Sequence, residues 1–544
     1  MLKELQVEVS KDKMKKILIL LLVICCLCSV SFLWGCENNS NNELPHKELN
    51  IIDDNYRNWY EIFVYSYYDT DGNGIGDING VTEKLDYIKE MGYNGIWLMP
   101  INPATSYHKY DVEDYYDIDS DFGTIQDMEN LLAKAHEKGI KVIMDLVVNH
   151  SSVEHTWFKQ AVQYIRNTGT VGGTYGNYYN FKTKSESGYT QISGTQYYYE
   201  SRFWSGMPDL NLDSQTVKEE ITEIMRFWLN KGVDGFRLDA VTSYYTGDVN
   251  KNIEFLSWLN TTAKSIKSDC YIVGEAWIDN DAMIAQYYES GVDSFFTFTT
   301  SQGTGYIADA LRDLRTDNGK RYTEIQLKLQ DKYDKGILAP FLGNHDTGRP
   351  GSFLVGEDKV KMGGGLLAML NGSTFVYYGE EIGMISRDSA TSDPHKRIAM
   401  YWDKGVYEGW CYTSPENISV TAQNYYYPTV KEQQSDENSI LNYYKNAMRL
   451  RNTYPMIARG KVEEVVGDYS NFVSVIRKTY QDKSIIIVIN LDREYSQNIT
   501  VNKDTWDCTT LCDMLCVNNE TKVEYNKKTG VLTMPAYSIA ILEE

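Results

Sequence analysis

Short apolar runs alternate with amphipathic segments along most of this chain. Between residues 60 and 385 there are eight such runs, and the intervening segments, for example 81–92 and 253–267, repeat their apolar residues with the period of a helix. The runs span 60–67, 95–101, 141–150, 235–241, 270–277, 294–299, 338–346 and 373–381. Eight alternations of strand and helix predict an α/β fold, a closed parallel (β/α)8 barrel of the TIM type.

Two regions depart from this alternation. Residues 151–204 are rich in Gly, Tyr and Thr, which suits a small subdomain inserted after the third strand and placed over the barrel mouth. After residue 460 the pattern changes to alternating β runs at 472–478 and 484–491, which predicts a separate C-terminal antiparallel β-sandwich. The expected domains are therefore a barrel of 55–150 and 205–459, an insert of 151–204 and a sandwich of 460–544.

The N-terminal segment is typical of an exported protein. Lys15 and Lys16 precede an apolar run from Ile17 to Trp34, so residues 1–35 are expected to be a signal peptide, with a transmembrane anchor as the alternative. The run ends in LWGC, which resembles a bacterial lipobox and implies lipidation of Cys36. Residues 36–54 are polar and predict a flexible tether. We expect a cell-surface lipoprotein, with secretion as the alternative.

Composition limits the partners. The formal net charge is −22, which argues against nucleic acid and against attraction to anionic lipid. The chain has 43 Tyr and 11 Trp, whose rings can stack on sugars, although most are expected to serve packing. Near the C-terminus Cys508, Cys512 and Cys516 have no histidine close by, so unpaired cysteines or one disulfide are expected rather than a metal site.

Charged residues fall where the predicted strands end, at the face of such a barrel that carries the chemistry. In GVDGFRLDAV (232–241), Arg237 and Asp239 are two apart and project to the same side of a strand. The other strand ends carry Asp145, Asn149 and His150, then Glu275, and then Asn344, His345 and Asp346. Converging carboxylates repel one another, so their joint presence indicates a functional use.

The stretch DTDGNGIGD (69–77) has the spacing of a cation-binding loop. It offers side-chain oxygens from Asp69, Asp71, Asn73 and Asp77, and the backbone carbonyl of Ile75. Oxygen ligands at alternate positions, with glycines permitting the tight turn, suit a hard cation such as Ca²⁺. An Asp/Gly surface turn without a metal is the alternative.

DLVVNH, GFRLDAV, GEAW and FLGNHD, in this order, resemble the four conserved regions of the α-amylase family, glycoside hydrolase family 13. MPDLN (207–211) resembles a fifth region, in the form found in amylases intermediate between oligo-1,6-glucosidases and neopullulanases. YHKYD (107–111), YYGEEIG (377–383) and RIAMYW (397–402) extend the resemblance from about residue 55 to the end of the chain.

The resemblance implies a retaining glycosidase. Asp239 would be the nucleophile and Glu275 the acid and base, with Arg237 holding Asp239 ionised and Glu275 raised in pKa by the Asp239 charge and by apolar neighbours such as Trp277. The resemblance also implies the other contacts to the sugar: Asp346 and His345 on the 2- and 3-hydroxyls, His150 on the 6-hydroxyl, Tyr110 stacked on the ring, and His108, Asn344 and Arg397 around it.

The implied function is hydrolysis of α-1,4 bonds in starch and maltodextrins by an endo-acting α-amylase, a monomer that needs Ca²⁺. Neopullulanase, cyclomaltodextrinase or 4-α-glucanotransferase activity is the alternative, and a non-catalytic glucan-binding lipoprotein is an alternative of another class. The family's second calcium site is not predicted, because only Asn149 and Asp209 match it and its usual Lys-His pair is Thr242-Ser243 here.

Overall fold

The computed structural model describes Leu44 and residues 47–386, 392–405, 407–418, 425–501 and 506–544. The predicted signal peptide and Cys36 lie outside the described residues. Within that part of the chain, no helix is long and apolar enough to cross a membrane.

Eight parallel strands of the described chain form the predicted barrel, and three short strands lie in the insert. The strands up to residue 377 are β1 (Asn58–Ile62), β2 (Gly95–Leu98), β3 (Lys141–Leu146), β4 (Phe181–Lys182), β5 (Tyr189–Gln191), β6 (Tyr198–Glu200), β7 (Gly235–Leu238), β8 (Tyr271–Gly274), β9 (Ser294–Thr297), β10 (Ile337–Pro340) and β11 (Thr374–Tyr377). The barrel order is β10-β9-β8-β7-β3-β2-β1-β11, and a single bridge between Phe341 and Phe375 joins its two ends. All eight predicted strands are therefore confirmed.

The helices surround the barrel. They are α1 (Ile78–Glu83), α2 (Leu85–Glu90), α3 (Ile125–Glu137), α4 (Thr156–Thr168), α5 (Gln215–Lys231), α6 (Val249–Ile266), α7 (Asp281–Tyr287), α8 (Tyr306–Ala310), α9 (Asn318–Lys332), α10 (Pro350–Phe353), α11 (Glu357–Ala368), α12 (Val430–Gln434), α13 (Ile440–Thr453) and α14 (Pro455–Arg459).

Two helices begin earlier than their apolar periodicity indicates, because acids cap them. Asp77 accepts a hydrogen bond from the Gly80 amide and starts α1 at Ile78, although the pattern begins at residue 81. Asp248 accepts one from the Lys251 amide and starts α6 at Val249 instead of 253. The predicted helix 81–92 is also divided at Lys84, whose ammonium lies 3.6 Å from the centre of the Tyr68 ring.

The barrel interior is filled by large side chains that alternate along the strands. One cluster holds Trp59, Trp97, Ile143, Tyr271, Val273, Phe296, Phe298, Ala339, Phe341 and Phe375. Their sequence neighbours, such as Tyr60 and Val142, belong to a second cluster that packs against the helices. This alternation follows from the strand period of two and leaves every second residue pointing into the barrel.

The insert between β3 and β7 contains helix α4 and a small antiparallel sheet in the order β4-β6-β5. An antiparallel bridge between His150 and Asp209 ties the chain at its entry to the chain at its exit. The predicted small subdomain is therefore present, with one helix that its composition did not indicate.

The C-terminal strands form two antiparallel sheets with a shared hydrophobic core. They are β12 (Lys461–Glu464), β13 (Val473–Tyr480), β14 (Lys483–Asn490), β15 (Gln497–Thr500), β16 (Thr510–Cys516), β17 (Glu524–Asn526), β18 (Val531–Met534) and β19 (Ser538–Glu543). Ile486 and Val488 pack into the core of these sheets, whereas Ile485 and Ile487 join the core around the barrel. The larger sheet thus buries one face in its own domain and the other against the barrel.

Candidate active site

The charged residues at the strand ends form the layer of the barrel interior directly above the apolar core. Each lies two residues after an inward-pointing position of its strand: Glu61 after Trp59, Asp145 after Ile143, and Glu275 after Val273. Arg237 follows Gly235 by the same step. The strand period therefore directs all of these side chains into the barrel, at the end where the strands finish.

Arg237 is the centre of this layer and is almost completely buried. Its Nη1 lies 2.8 Å from Asp239 Oδ1 and also bonds Asp145, and its Nη2 lies 3.1 Å from Glu275 Oε2. Asp145 is held from its other side by Trp97, whose Nε1 donates over 2.8 Å. One guanidinium thus contacts three carboxylates, which offsets their mutual repulsion and fixes the position of Asp239 beside Glu275.

Glu275 has the properties of a proton donor. Burial raises its pKa to about 7, and although Arg237 opposes this shift, the negative charges of Asp239 and Asp346 reinforce it. The pKa of Glu275 is therefore shifted in the predicted direction, and the Asp239 charge contributes to the shift as predicted. Oε2 also accepts the Ala240 amide over 2.9 Å, and Oε1 has no hydrogen-bond partner among the described residues.

The Ala240 backbone has a positive φ of 49°, in the left-handed region that an L side chain adopts only when its surroundings impose it. This conformation directly follows Asp239 and aims the Ala240 amide at Glu275. The turn after β7 therefore connects the two acids through the backbone as well as through Arg237.

Asp346 lies at the end of a second chain of charges. His345 Nε2 is 3.0 Å from Asp346 Oδ2, and His345 Nδ1 is 2.6 Å from Glu61 Oε1. Burial disfavours the imidazolium, but the charges of Asp346 and Glu61 outweigh it and raise the pKa of His345 to about 9. Burial likewise disfavours the Asp346 carboxylate, but His345 and Arg397, whose Nη2 is 2.5 Å away, lower the pKa of Asp346 below its usual value.

The remaining predicted residues take different positions. Tyr110 Oη lies 2.8 Å from His345 Nε2 and 3.2 Å from Arg237 Nη1. It therefore links the charges around Arg237 to the pair of His345 and Asp346. The Nε2 of His150 is buried without a hydrogen-bond partner in the described structure, as expected of a group that awaits a ligand. The Asn344 side chain accepts the backbone amides of Asp346 and Thr347 and thus shapes the turn.

A cavity of about 580 Å³ covers both acids. Of the predicted residues, it is lined by His108, Tyr110, His150, Asp239, Glu275, Asp346 and Arg397, and Thr242, Ser243, Phe203, Met207, Ala240, Trp277 and Asp393 complete its wall. Arg237, His345 and Asn344 are buried and do not line the cavity. Phe203 and Trp277 are about half exposed, so two aromatic rings stand at the opening of the cavity.

Sequence reasoning missed Glu61 and Phe203. Glu61 is fully buried in β1, and a charge inside an apolar run is the same signal that singled out Arg237 and Asp239. Phe203 lies in the insert, where the chain has no periodicity that could indicate its direction.

The loop 69–77 brings its acids together. Oxygens of Asp69, Asp71 and Asp77 all lie within 4.8 Å of one another, which is the only such group of potential metal ligands in the described part of the chain. Asp69 accepts the amides of Gly72 and Gly74 over 2.7 Å each, so the turn is preformed. Three carboxylates, with an amide and a backbone carbonyl in the same loop, fit a hard divalent cation. Asn149 and Asp209 instead bond each other over 3.4 Å.

Known proteins are similar to this chain in both sequence and fold. The family model described as the catalytic domain of alpha amylase matches residues 61–460. Alpha-amylase 3 of Dictyoglomus thermophilum is 38% identical over 448 residues, which cover 80% of this chain and 85% of that protein. An oligo-1,6-glucosidase of Parageobacillus thermoglucosidasius is 30% identical over 519 residues, or 80% of this chain and 90% of that protein.

Two solved structures agree closely with this one. Eubacterium rectale Amy13B superposes with a TM-score of 0.84 at 39% identity, over 92% of this chain and 97% of that structure. An alpha-amylase from H. orenii gives 0.77 at 32% identity, over 90% and 100%. By sequence and by fold, the chain belongs to the α-amylase family of glycoside hydrolases, family 13.

Proposed function

We propose that this protein is a retaining, endo-acting α-amylase that hydrolyses α-1,4-glucosidic bonds of starch and maltodextrins through a covalent glycosyl-enzyme. The observation that carries the proposal is the pairing of Asp239 with Glu275 across Arg237. The two carboxyl groups share one guanidinium and one cavity, and Glu275 has a pKa raised to about 7. Retention requires a carboxyl group that can donate a proton beside a second carboxyl group that can attack the anomeric carbon.

Each group then has a distinct task. Asp239 uses Oδ2, which Arg237 leaves free, to attack the anomeric carbon, while Glu275 Oε1 gives its proton to the leaving glycosidic oxygen. Glu275 next takes a proton from water, which attacks the glycosyl-enzyme and releases Asp239. His150 Nε2 and Asp346, beside His345 and Arg397, supply partners for the sugar hydroxyls.

Product analysis tests the proposal. Purified protein should cut amylose internally, so that viscosity falls faster than reducing ends appear, and proton NMR should show the α-anomer first. Asp239→Asn and Glu275→Gln should each lower kcat by several orders of magnitude with the circular dichroism unchanged, since each acid acts mainly in the transition state. Near-normal turnover by either variant, or the β-anomer as first product, would refute the mechanism.

A second candidate function is neopullulanase, cyclomaltodextrinase or 4-α-glucanotransferase activity. Thr242 and Ser243 line the cavity beside Glu275, so hydroxyl groups lie at the wall where an acceptor would bind. Met207 of the MPDLN stretch also lines it, consistent with the group intermediate between oligo-1,6-glucosidases and neopullulanases. Faster cleavage of pullulan or cyclodextrin than of amylose, or longer products than substrates, would favour this function.

We further propose Ca²⁺ as the cation of the 69–77 loop and a lipid anchor on Cys36 of an exported, monomeric protein. The loop lies directly before α1, away from the reacting groups, so the ion supplies rigidity rather than chemistry. Lipidation is tested by labelling with a radioactive fatty acid: the natural chain should label and partition into detergent, whereas Cys36→Ser should not. Equal partition of both into detergent, without label, would instead favour an uncleaved helix.

A further inference from the structure

Lys109 lies between two residues of the active-site wall but is not itself part of that wall. His108 and Tyr110 line the cavity, whereas Lys109 is only 5% exposed and does not line it. The Lys109 Nζ lies 2.7 Å from Oδ2 of Asp119, which is also buried. A buried ammonium group is costly unless it is paired, so this ion pair fixes the position of Lys109 relative to Asp119.

The backbone of Lys109 is strained. Its φ is 63°, in the left-handed region that glycine adopts freely but that costs free energy for a residue with a Cβ. Its amide donates to the Ser106 carbonyl over 3.3 Å and closes the 105–111 turn. Asp111 accepts the amides of Thr105 and Ser106 over 3.2 and 3.3 Å. Because such a conformation persists only where the surroundings impose it, the ion pair with Asp119 contributes to the shape of the turn.

Asp119 gives this ion pair a firm attachment. Its amide donates over 2.8 Å to the carbonyl of Ile101, shortly after β2, and its carbonyl accepts the Phe122 amide over 2.8 Å. The Phe122 carbonyl in turn accepts the amide of Ile78, the first residue of α1, over 2.9 Å. Lys109 is therefore paired with a segment that is bonded to the barrel at two places.

The 105–111 turn sets the positions of two groups that face the cavity. The Tyr110 hydroxyl contacts His345 and Arg237, and the Tyr110 amide donates to His108 Nδ1 over 3.2 Å. An amide can only donate, so the neutral His108 ring carries its proton on Nε2. Burial and the nearby Arg397 charge lower the pKa of His108 to about 4, which keeps the ring in this form near neutral pH.

We propose that Lys109 is a positioning residue for glycoside cleavage, because its ion pair with Asp119 holds the strained turn that sets His108 and Tyr110 against the sugar ring. This inference rests on the proposed function. Lys109 itself touches no reacting group, and it acts by keeping its two neighbours in the geometry that the reaction needs. Every substrate places a ring in the cavity, so the benefit is the same for short and long glucans.

Lys109→Met tests the proposal, since it keeps an unbranched side chain and removes the charge. At 25 °C, kcat/KM should fall about tenfold or more, and equally for maltotetraose and amylose. Lys109→Met combined with Asp119→Asn removes both charges, so it leaves no unpaired acid that could prevent folding. The double variant should show the same loss.

Lys359→Met is the matched control. Lys359 is also buried and its Nζ lies 2.7 Å from Asp313 Oδ1, but it belongs to α11 and does not line the active-site cavity. This variant should keep kcat/KM within about twofold of the natural value. A loss of activity that follows from any broken lysine ion pair would appear in this control as well, and would refute a specific role for Lys109.

Lys109→Gly and Lys109→Ala separate the strained backbone from a simple loss of contacts. Both remove the ammonium, but glycine relieves the cost of the positive φ and alanine does not. Lys109→Gly should therefore be several-fold more active than Lys109→Ala, although glycine is the more disruptive residue at an ordinary position. Equal activity of the two variants would refute the proposed part of the strained turn.

NMR gives a readout that does not depend on activity. The ring signals of His108 and His345 can be identified by their absence in His108→Gln and His345→Gln. Both should shift in Lys109→Met and stay in place in Lys359→Met, because only the first variant releases the turn that holds His108 and the Tyr110 ring, whose centre is 5.8 Å from that of His345.

The outcomes distinguish this inference from the proposed function. If Lys109→Met melts at a lower temperature but keeps kcat/KM and both ring signals, Lys109 only stabilises the fold and the proposal is refuted. If the natural chain hydrolyses no α-glucan, the proposed function itself fails. The ring signals then still decide whether Lys109 holds His108 and Tyr110 in place.

Discussion

In the proposed mechanism, Glu275 is the residue whose protonation state sets the working pH. Because it must hold its proton before the leaving oxygen departs, kcat/KM should fall as pH rises through about 7. Asp346 is one of the negative charges that raise this pKa. Asp346→Asn should therefore move the alkaline limb of the profile to lower pH, besides reducing kcat.

The measurement is kcat/KM for maltotetraose against pH. Asp331→Asn, which removes an equal charge from the exposed surface of α9, serves as the control and should leave the limb in place. An alkaline limb that stays fixed in Asp346→Asn would show that Glu275 is insulated from the Asp346 charge.

His345 is held as an imidazolium by carboxylates on both ring nitrogens. Its pKa of about 9 lies above the unfolded value, so its contribution to stability is complete below about pH 6.5 and is lost as pH rises through 9. Glu61→Gln keeps the size of the side chain but removes one of these charges. We expect the pKa of His345 to fall. Its contribution to stability should then be lost at a lower pH than in the natural chain.

NMR can follow this change, because the chain has only seven histidines and the His345 ring signals can be identified by their absence in His345→Gln. Glu61→Gln should also lower kcat/KM, since His345, the partner of Asp346, loses the carboxylate that holds its ring and its charge. A His345 titration that is the same with and without Glu61 would contradict the charge chain.

At this scale the sequence was informative wherever a charge interrupted an apolar run at a strand end. Asp239, Glu275 and Asp346 meet in one cavity as expected. Sequence could not show that Arg237 bonds Asp145 and Glu275 as well as Asp239, because those contacts depend on the register of three neighbouring strands. Glu61 was overlooked because it lies near the start of the apolar run 60–67 rather than at its end, and because its partner His345 is 284 residues away.

Among the elements, the 69–77 loop is the one that we expect to depend most on the proposed ion. Its three acids lie within 4.8 Å, so without a cation their repulsion should loosen the loop and the start of α1. A ligand that binds only the folded state stabilises it by about 2.7 kcal/mol at one hundred times its dissociation constant. Chelator should therefore lower the melting temperature by several degrees, and Ca²⁺ should restore it better than Mg²⁺.

Asp71→Ala is the discriminating variant, because Asp71 is exposed whereas Asp77 also caps α1 and would cost stability without any metal. It should melt at a lower temperature and no longer respond to chelator. If it responds as strongly as the natural chain, the ion lies elsewhere, and the pair of Asn149 and Asp209 becomes the better site.

The elements themselves were largely predictable. All eight strands follow from their apolar runs, because a strand buried on both faces must be continuously apolar. Helix starts were less accurate, since the Asp77 and Asp248 caps lie outside the apolar pattern that indicated the helices. The insert helix α4 was missed because the surrounding Gly and Tyr residues dominate the composition of that region.

For the whole molecule, a buried lysine links the C-terminal sheet to the base of the barrel. Lys478 of β13 donates to the carbonyls of Met369 and Ile457 and to Asn371 Oδ1, over 2.6–2.9 Å. Burial lowers its pKa well below the usual value. Lys478→Met should lower the unfolding free energy by about 2 kcal/mol, because it leaves buried carbonyls unpaired.

The melting temperature should accordingly fall by a few degrees, while kcat/KM at 25 °C stays unchanged, since these contacts lie at the end of the barrel opposite the acids. Lys483→Met, at the exposed start of β14, should have no effect on either quantity. A loss of activity without a loss of stability would show that the two ends of the barrel are coupled.

The close approach of α9 to β13 limits how freely evolution or an engineer could exchange the C-terminal domain. A Cβ at Gly319 would come within 2.4 Å of the Phe472 and Val473 backbone, and Thr323 bonds Ser474 over 2.7 Å in the buried interface. A C-terminal domain grafted from a relative would have to match these positions as well as Lys478. Recombination at residue 460 should thus yield active chimaeras only between parents that share both surfaces, so the two domains behave as one unit of inheritance.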